Sequence, residues 1–500
     1  MDAIAKLTVG APPGFSPRLI DGGSVVEELR AYRDSGGYAA LTDPAGLLTA
    51  VTESGLRGRG GAAFPLGVKL HAVRDHCGPG VRPVVVGNGE EGEPASAKDR
   101  WLLRYRPHRV LDGLRLAAAM VDADRAFLYL SDPAAADAVD SALAELDGTE
   151  SVGVPIEVVT VEPGYVAGEE SAAVRAINGG PAKPTDKPPR VFQVGVDRRP
   201  TLVSNVETLA NLPFILRHGA DAYRAVGTTE SPGTFLATVS GGGREPMLYE
   251  LPHGISFADL LALHRISPDD VTGALLGGYF SGLINRRVLN ARLDHETLRA
   301  LGSGLGCGAI GLLTHDECPV AVAASVLDYF DRENAGQCGS CFNGTAAMSA
   351  AVDALRDDVA DDSDMARLRR WSIVLRGRGA CGTLDAATNM ARTLLDEFPA
   401  AVSLHRGMGC EVCTATPYFA ERPFEVEAVS FGMRVRLDRT MCDGFGICAK
   451  HAPEHFSLDD WGYASMEGDG SVSAEQRDGV HRALLDCPVH AIIEMGSERG

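Results

Sequence analysis

The sequence predicts an α/β protein of several domains, and three observations lead to that fold class. Its 500 residues, 45% hydrophobic and 23% charged, are typical of a globular chain that is too long for one hydrophobic core. Short β-branched runs alternate with helical segments between residues 82 and 161, as in a mostly parallel sheet. Eight of the eleven cysteines lie in the C-terminal third, which sets that part of the chain apart.

Charge and hydropathy exclude several classes of function. The formal net charge of −20 argues against nucleic acid or an anionic membrane as the main partner. The sequence contains no charged-then-apolar leader and no apolar run of about 18 residues, so we expect a cytoplasmic protein without direct membrane insertion. In a reducing compartment, clustered cysteines indicate metal sites rather than a disulfide framework.

Residues 1–44 are a lead-in with a predicted helix over residues 24–35, and the most informative segment follows. It reads GLRGRGGAAFPLGVK over residues 55–69, and five glycines leave its backbone free to approach a ligand closely. A helix predicted from Val68 to Arg74 would place its N-terminus, with the charges of Arg59 and Lys69, beside a phosphate. A flexible linker would need none of these charged and aromatic residues, so we interpret the segment as a nucleotide cradle.

Four further segments follow strands or open helices of the predicted sheet. Strands are predicted over residues 82–86, 126–130 and 156–161. Helices are predicted over residues 134–146 and from Lys98 onward. The segments that stand at their ends are Asn88–Arg100, Gly164–Ser171, Lys187–Pro189 and Ser204–Thr208, the last with Ser204 or Asn205 as a helix cap. Since ligands bind at the carboxyl ends of strands in such folds, we interpret residues 45–225 as a Rossmann-like domain.

The glycine loop and these four segments, in this order, resemble the NADH-binding flavoprotein subunit of respiratory complex I and related hydrogenase and formate dehydrogenase subunits. The resemblance covers residue 55 to about residue 415 and implies FMN and NADH as cofactor and substrate. It implies FMN-phosphate contacts from Gly58, Arg59, Gly61, Lys69 and Asn205. It implies flavin, ribose or nucleotide contacts from Asn88, Glu90, Glu91, Glu93, Tyr165, Gly168, Glu169 and Glu170, and adenine stacking on Phe64. Glu91, Glu93 and Lys69 would position the reactants for catalysis.

Two positions depart from that family. Glu90 stands where the family usually has aspartate, and its longer side chain could crowd the ribityl group. Arg190 stands where an aromatic residue usually completes the adenine site, although a guanidinium can also stack on a π-face. Glu170 would repel a 2′-phosphate whereas Arg190 could pair with one, and on balance we expect NADH rather than NADPH.

The middle of the chain divides into two predicted domains. Residues 230–315 are interpreted as a β-grasp (SLBB-like) domain, with strands over 234–240 and 246–252 and a helix over 257–264. Residues 316–415 have the helical period of a bundle. The family binds a [4Fe–4S] cluster in this bundle with four cysteines, and this chain retains Cys338, Cys341 and Cys381 while Ala335 replaces the first. The cluster could have another fourth ligand, contain three irons, or have been lost.

The remaining cysteines of this region allow two interpretations. Cys410 and Cys413 are either idle buried thiols or residues with a ligand or redox role. Cys77, Cys307 and Cys318 stand alone in the sequence and are expected to pack in the core.

Residues 428–500 are predicted to form a separate α+β ferredoxin domain. A strand over residues 435–438 precedes Cys442 and Cys448, and Cys487-Pro488 follows much later, while Phe445 occupies the middle cysteine position of a bacterial ferredoxin run. The pattern resembles the three-cysteine ferredoxins of actinobacteria and implies a [3Fe–4S] cluster. The alternative is three unrelated thiols in a small α/β domain.

Together these features predict an NADH dehydrogenase that passes electrons from NADH through FMN to iron–sulfur centres, including its own ferredoxin, and then to a partner protein. The alternative is a non-catalytic nucleotide-binding scaffold that tethers a ferredoxin to a partner.

Overall fold

A computed structural model describes residues 7–414, except 22, 24, 147–152 and 408, and residues 433–495, except 467, 469 and 473–475. These residues form two compact units, one within 7–414 and one within 433–495. Among the described residues, none of the helices combines the length and the apolar character that a bilayer crossing requires. The predicted boundary at residue 428 lies outside the described residues.

The first part of the larger unit is built on a parallel sheet. Its elements are β1 (Thr8–Gly10), α1 (Leu29–Asp34), α2 (Pro44–Ser54), α3 (Leu66–Asp75), β2 (Val84–Asn88), α4 (Lys98–Tyr105), α5 (Pro107–Val121), β3 (Arg125–Leu130), α6 (Pro133–Leu146), β4 (Ile156–Thr160), α7 (Glu170–Ile177), β5 (Thr201–Asn205), α8 (Val206–Ala210) and α9 (Leu212–Arg224). Strands β2 to β5 pair in parallel in the order β4-β3-β2-β5. The predicted parallel α/β sheet is confirmed.

Two predicted helices differ from those observed. Within residues 25–35 the helix is confined to α1, and Ser24 lies outside the described residues. The single long helix predicted from Lys98 is instead two helices, α4 and α5, which meet at Arg106. Pro107 explains the break, because proline disfavours the helical conformation in the residue before it and has no N–H to continue the ladder.

The register of β2 and β5 brings two asparagines together at one edge of the sheet. Asn88 ends β2 and lies opposite Asn205, which ends β5. Asn205 is also the N-cap of α8, since its side chain accepts a hydrogen bond from the Glu207 N–H at 3.0 Å. The carboxyl ends of the strands therefore bring the loop of residues 89–97, called the acidic loop below, and the start of α8 to the same place.

A second, mixed sheet follows in the larger unit. Its elements are β6 (Thr234–Gly241), β7 (Arg244–Pro252), α10 (Phe257–His264), β8 (Val271–Leu276), β9 (Leu283–Asn285), α11 (His295–Ala300) and β10 (Ala309–Thr314). The strand order is β1-β7-β6-β10-β8-β9, with β6 and β7 forming an antiparallel hairpin and β10 running parallel to β6. The predicted pair of strands and the helix over 257–264 are confirmed.

A helical bundle completes the larger unit. It contains α12 (Pro319–Glu333), α13 (Gly339–Arg356), α14 (Asp362–Val374), α15 (Thr383–Glu397) and α16 (Pro399–Leu404). The apolar faces of these helices share one core with Ala95 of the acidic loop and with Leu275 of the second sheet. The bundle is thereby packed directly against the strand-end edge where the loops converge.

The C-terminal unit is small and has its own core. Its elements are β11 (Met433–Leu437), α17 (Ile447–His451), β12 (Phe456–Leu458), β13 (Ala464–Met466), β14 (Ser471–Val472), α18 (Arg477–Asp486) and β15 (Ile492–Met495). Strand β11 pairs with both β14 and β15 in antiparallel fashion. Val435, Phe456 and Val480 are buried at the centre of this unit.

Candidate cofactor and metal sites

A cavity of about 380 Å³ opens at the carboxyl ends of β2 and β5. Its volume lies within the range of small-molecule sites in proteins. Loops from every part of the larger unit contribute to its wall: Gly60–Ala62, Asn88, Glu90–Glu93, Ser96, Asp99, Tyr165, Val166, Gly168, Glu169, Asn205, Gly277, Phe280, Gly306, Cys307 and Cys381–Thr383. The glycine loop, the acidic loop and the bundle thus border one space.

The glycine loop is held closed by its own backbone. The Gly58 N–H donates to the Phe64 carbonyl at 2.9 Å, and Gly61 adopts a φ of +113°, which strongly favours glycine. A Cβ atom at Gly60 would lie 3.2 Å from the Asn205 Cβ. The absence of side chains here leaves the backbone open to the cavity, while Phe64 stands 51% exposed on the outer side of the loop.

Arg59 and Lys69, which the sequence places at the phosphate, have other partners in the structure. The buried guanidinium of Arg59 donates to the Thr234 carbonyl at 2.8 Å and to the Tyr223 hydroxyl at 3.1 Å. Lys69 donates to the Val203 carbonyl at 2.7 Å and lies 3.3 Å from a Glu170 oxygen. In this conformation both cations hold the loop and α3 against neighbouring elements.

A buried group of charges lies directly beneath the cavity. The Lys98 ammonium, 1% exposed, lies 2.6 Å from Asp99 and 3.0 Å from Glu207. Burial alone would lower the pKa of Lys98, but the attraction of Asp99 and Glu207 raises it above its usual value. Asp99 in turn accepts a hydrogen bond from the Asn205 amide at 2.7 Å. The network therefore connects the starts of α4 and α8 with the end of β5.

Glu91 is an ionised carboxylate that faces the start of α4. Its oxygens accept hydrogen bonds from the Asp99 N–H at 3.2 Å and from the Arg100 N–H at 3.1 Å. Burial by itself would raise the pKa of Glu91, but Arg100, Lys98 and the Ser96 hydroxyl together lower it. Its charge is thus satisfied by the protein and by the helix N-terminus.

Glu93 has the opposite character. In the described part of the chain its carboxyl group pairs with no cation and accepts hydrogen bonds from the backbone N–H groups of Tyr279, at 3.0 Å, and Ala95, at 3.4 Å. Burial raises the pKa of Glu93 to about 8, and the charge of Glu91 contributes to the rise. At neutral pH the cavity wall therefore carries a predominantly protonated carboxyl group beside an ionised one.

The loop after β4 closes over the acidic loop. The Asn88 side chain donates to the Gly168 carbonyl at 2.8 Å, and the Gly164 N–H donates to a Glu90 oxygen at 3.3 Å. Tyr165 packs edge-on against Phe330 of α12 with ring centroids 5.1 Å apart. Of the two glutamates that open α7, Glu169 caps the helix and pairs with Lys187, and Glu170 pairs with Lys69.

The bundle thiols lie against the same cavity. Cys381 belongs to its wall, and a small adjoining pocket is lined by Cys338, Cys341 and Cys381 together with Ala335. The Ala380 N–H points at the Cys338 sulfur, 3.4 Å away. The structure thus brings together the three retained thiols and places Ala335, as the motif predicts, beside them.

The three cysteines of the C-terminal unit also converge. Cys442, Cys448 and Cys487 line one small pocket together with Phe445 and Pro488. The N–H groups of Ala464 and Ala491 each lie 3.4 Å from a cysteine sulfur, those of Cys442 and Cys487 respectively. Phe445 is 60% exposed, so it forms the outer edge of this pocket.

Cys318 is buried in the core of the bundle, as expected, but three further metal-ligating side chains that the sequence did not connect with it lie beside it. The Cys318 sulfur lies within 4.8 Å of the sulfurs of Cys410 and Cys413 and of a ring nitrogen of His405. The separation along the chain concealed this group, because the start of α12 and the segment after α16 meet only in the folded bundle. His405 was not singled out by the sequence.

Sequence reasoning also missed Lys98, Asp99 and Glu207 as individual site residues. The sequence did contain an indication of Lys98 and Asp99, because this Lys-Asp pair begins α4 directly after the acidic loop. A buried helix start needs partners for its charged side chains and free N–H groups. Phe280 and Thr383 carried no such signal, because they reach the cavity only through the packing of the second sheet and the bundle.

Three known families match the chain. The family described as Nuo51 FMN-binding domain matches residues 51–214. The NADH-ubiquinone oxidoreductase-F iron-sulfur binding region matches residues 321–405, and the 4Fe-4S single cluster domain matches residues 435–493.

Individual proteins are similar over most of the chain. The F 2 subunit of the NADH-quinone oxidoreductase of Rhizobium meliloti (strain 1021) is 31% identical over 398 residues, which cover 75% of this chain and 94% of that protein. The HndC subunit of the NADP-reducing hydrogenase of Solidesulfovibrio fructosivorans is 29% identical over 442 residues, covering 85% and 86% respectively. The solved structure of an air-oxidized NAD+-reducing [NiFe]-hydrogenase is similar with a TM-score of 0.69 and 29% identity, over 76% of this chain and 67% of that chain.

The opposite pKa shifts of Glu93 and Glu91 predict opposite pH effects on stability. Because the folded pKa of Glu93, about 8, exceeds its usual 4.5, the stability that it contributes is full below pH 4.5 and is lost as pH rises through 8. The free energy of unfolding of Glu93→Gln, relative to that of the parent, should therefore increase by up to about 1.4 kcal/mol per pH unit between pH 4.5 and about 8. Melting temperatures of the FMN-loaded proteins between pH 5 and 9 measure the difference.

Glu91→Gln is the matched control with the reverse sign. The lowered pKa of Glu91 gives stability that is present above pH 4.5 and lost as pH falls through the folded pKa. This variant should be less stable than the parent at pH 7, and the difference in stability between the two proteins should become smaller as the pH is lowered. If the stabilities of the two variants, relative to the parent, changed with pH in the same direction, the opposite pKa shifts of Glu93 and Glu91 would be contradicted.

Lys98→Met should destabilise the larger unit severely. Methionine fills the space but leaves the carboxylates of Asp99 and Glu207 buried without their cation, which costs about 3–5 kcal/mol. Arg82→Met is the control, since Arg82 and Asp122 form an ion pair with side chains 48% and 83% exposed that contributes at most about 1 kcal/mol. Calorimetric unfolding of both variants distinguishes them, and equal melting temperatures would show that the Lys98 network is dispensable.

Proposed function

The chain belongs to the family that contains the F subunits of NADH-quinone oxidoreductases and related hydrogenase subunits, and from this premise we propose that it oxidises NADH through FMN and delivers the electrons to iron–sulfur centres, one of them in its own ferredoxin unit. It is an NADH dehydrogenase by family. The observation that carries the proposal is the cavity whose wall runs from the glycine loop to Cys381. A cofactor bound there would contact both the nucleotide side and the metal side of the larger unit.

The residues present fit FMN. Backbone of the glycine loop borders the cavity without side chains, and Asn205 stands at the N-terminus of α8, where a phosphate is favoured. We assign the phosphate to Gly58, Gly61 and Asn205, with Lys69 and Arg59 as the nearby cations. We assign the ring and ribityl side to Asn88, Glu90, Tyr165 and Gly168. When bound, FMN supplies the conversion of a two-electron hydride donor into single-electron steps.

The protein's own contribution to this chemistry is placement and electrostatics. The network around Lys98 fixes the two helix starts below the cavity, so the groups in its wall need little reorganisation. Glu93, protonated at neutral pH, can donate a hydrogen bond or hold a proton at its carboxyl group, whereas Glu91 remains ionised and braces α4. Both residues and Lys69 act on position and charge, since hydride transfer itself requires no side-chain nucleophile.

The nucleotide would enter beside Phe64. Its exposed ring can stack on adenine, with Arg190 on the other side in place of the usual aromatic residue. Glu169 and Glu170 are assigned to the ribose, and a carboxylate there disfavours a 2′-phosphate. We therefore propose NADH as the preferred substrate, although the hydrogenase relative is named for NADP.

Two three-thiolate sites would receive the electrons. We propose that Cys442, Cys448 and Cys487 hold a [3Fe–4S] cluster, because Phe445 occupies the place of the remaining ligand. Cys338, Cys341 and Cys381 are proposed to retain an incomplete cluster beside Ala335, whose side chain cannot bind iron. Residues 230–315 are proposed to be a β-grasp (SLBB-like) domain. The acceptor would be a partner protein, in the cytoplasm.

Anaerobic titration with NADH tests the function. The FMN-loaded protein should lose its flavin absorbance on addition of NADH, and a higher kcat/KM for NADPH than for NADH would reverse the substrate assignment. Gly60→Val should lose FMN, because its side chain would collide with Asn205. Gly78→Val is the control, since a Cβ there has only Val81 within 4.0 Å. A parent protein that binds FMN but is not reduced by NADH would be a redox scaffold.

Iron counting tests the two clusters. After anaerobic reconstitution we expect about six irons per chain in the parent and about three in each of Cys381→Ala and Cys448→Ala, with Cys77→Ala unchanged. The Cys381→Ala protein should show the EPR signal of an oxidised three-iron cluster. About three irons in both the parent and Cys381→Ala would mean that the bundle has no cluster, and a diamagnetic four-iron centre in Cys381→Ala would contradict the assignment for the ferredoxin unit.

A further inference from the structure

The three-cysteine pocket of the C-terminal unit lies beside a group of exposed apolar side chains. Trp461 is 82% exposed, and Phe445, Leu458 and Tyr463 are exposed as well. We propose that these four side chains, called the aromatic face below, dock a basic redox protein next to the cysteine pocket. The proposal rests on the proposed function in that electrons leave through this unit, but the docking itself can be measured without NADH.

The aromatic face adjoins the cysteine pocket because the β12–β13 hairpin lies against the cysteine loop. A Cβ atom at Gly444 would lie 2.9 Å from the Gly462 carbonyl oxygen, and one at Gly446 would lie 3.3 Å from the Leu458 side chain. Phe445 stands between these two glycines in the chain and lines the cysteine pocket. The end of the hairpin and the rim of the pocket therefore belong to one surface.

The turn that carries Trp461 is ordered by its own hydrogen bonds. One oxygen of the Asp459 side chain accepts from the N–H groups of Trp461 and Tyr463, both at 3.0 Å. The Gly462 N–H donates to the Asp459 carbonyl at 2.9 Å, and the φ of Gly462, +85°, favours glycine. Because the backbone at Trp461 is already fixed, docking through this residue would cost little loop entropy.

Trp461 has the character of an interface residue rather than a core residue. The core of the unit takes Phe456 and Ala464 from the hairpin, whereas the Trp461 side chain is left in solvent. Contiguous apolar side chains on a surface mark interaction sites, and tryptophan is enriched among the residues that dominate binding energy in protein interfaces. The aromatic face therefore has the composition of a binding surface.

The charges around the aromatic face favour a basic partner. Residues 433–495 contain eleven acidic and six basic side chains, and from Cys442 to Met466 one lysine, Lys450, stands against Asp443, Glu454, Asp459 and Asp460. Arg439 is paired with Asp459, while Asp443 and Asp460 are exposed next to residues of the aromatic face in the chain. Lysines or arginines around the partner's cofactor would complement these carboxylates, and a second copy of this acidic surface would be repelled.

Binding of cytochrome c to the full-length, cluster-reconstituted protein tests the docking face. Cytochrome c is a basic haem protein whose haem edge is exposed among lysines, so it has the chemistry that the partner requires. Calorimetric titration without NADH should show binding that weakens as salt is added. Trp461→Ala should raise the Kd about tenfold or more at unchanged iron content, and Trp461→Phe should restore much of the affinity. Val359→Ala is the control, because Val359 is 72% exposed in the larger unit.

Four outcomes would overturn the docking face. They are no binding of cytochrome c at low ionic strength, an equal Kd for the parent and Trp461→Ala, and equal binding of lysozyme, which is basic but carries no redox cofactor. The fourth is a mass of two chains for the parent but one for Trp461→Ala in light scattering, which would mean that a second copy covers the face.

A second variant decides if Trp461→Ala loses iron. The double substitution of Asp443→Asn and Asp460→Asn should weaken the binding of cytochrome c at low salt and leave it nearly unchanged at high salt. Identical salt dependence in this variant and the parent would contradict a basic partner. Because none of these measurements uses NADH, a failure of docking is distinguishable from a failure of the flavin reaction.

Discussion

The buried ammonium of Lys98 is the interaction on which the rest of the cofactor site depends. It lies between the carboxylates of Asp99 and Glu207, and all three groups are almost inaccessible to water. Removing one charge from such a group leaves the others unpaired at low dielectric, which is far more costly than the loss of a surface pair. The starts of α4 and α8 are therefore held in one arrangement, and their positions determine the shape of the cavity.

That arrangement also explains how two glutamates two residues apart differ so strongly. Glu91 faces the helix start and the cations of Arg100 and Lys98, and its pKa falls. Glu93 is directed away from these cations, into contact with backbone N–H groups, and its pKa rises to about 8. A neutral and an ionised carboxyl group side by side give the cavity a polar wall without a second negative charge.

The bundle contains two separate groups of metal-ligating side chains. Cys381 belongs to the cavity wall, and Cys338 and Cys341 line the adjoining pocket with it, so a cluster bound by these three thiols would lie next to the cavity. The second group consists of Cys318, His405, Cys410 and Cys413, whose sulfurs and ring nitrogen lie within 4.8 Å of one another.

The sequence by itself determined the parallel α/β class, the helical bundle, the glycine loop and the three-cysteine motifs, because each depends on local spacing of glycines, apolar residues or thiols. It also located much of the cavity wall, including Asn88, Glu91, Glu93 and Asn205. It could not show that Arg59 and Lys69 are engaged by Thr234, Tyr223, Val203 and Glu170, since those partners come from distant segments. Only the tertiary structure placed Lys98 between two carboxylates and brought Cys318 to His405, Cys410 and Cys413. Burial and long-range contacts decide both, and neither is encoded in the spacing of neighbours along the chain.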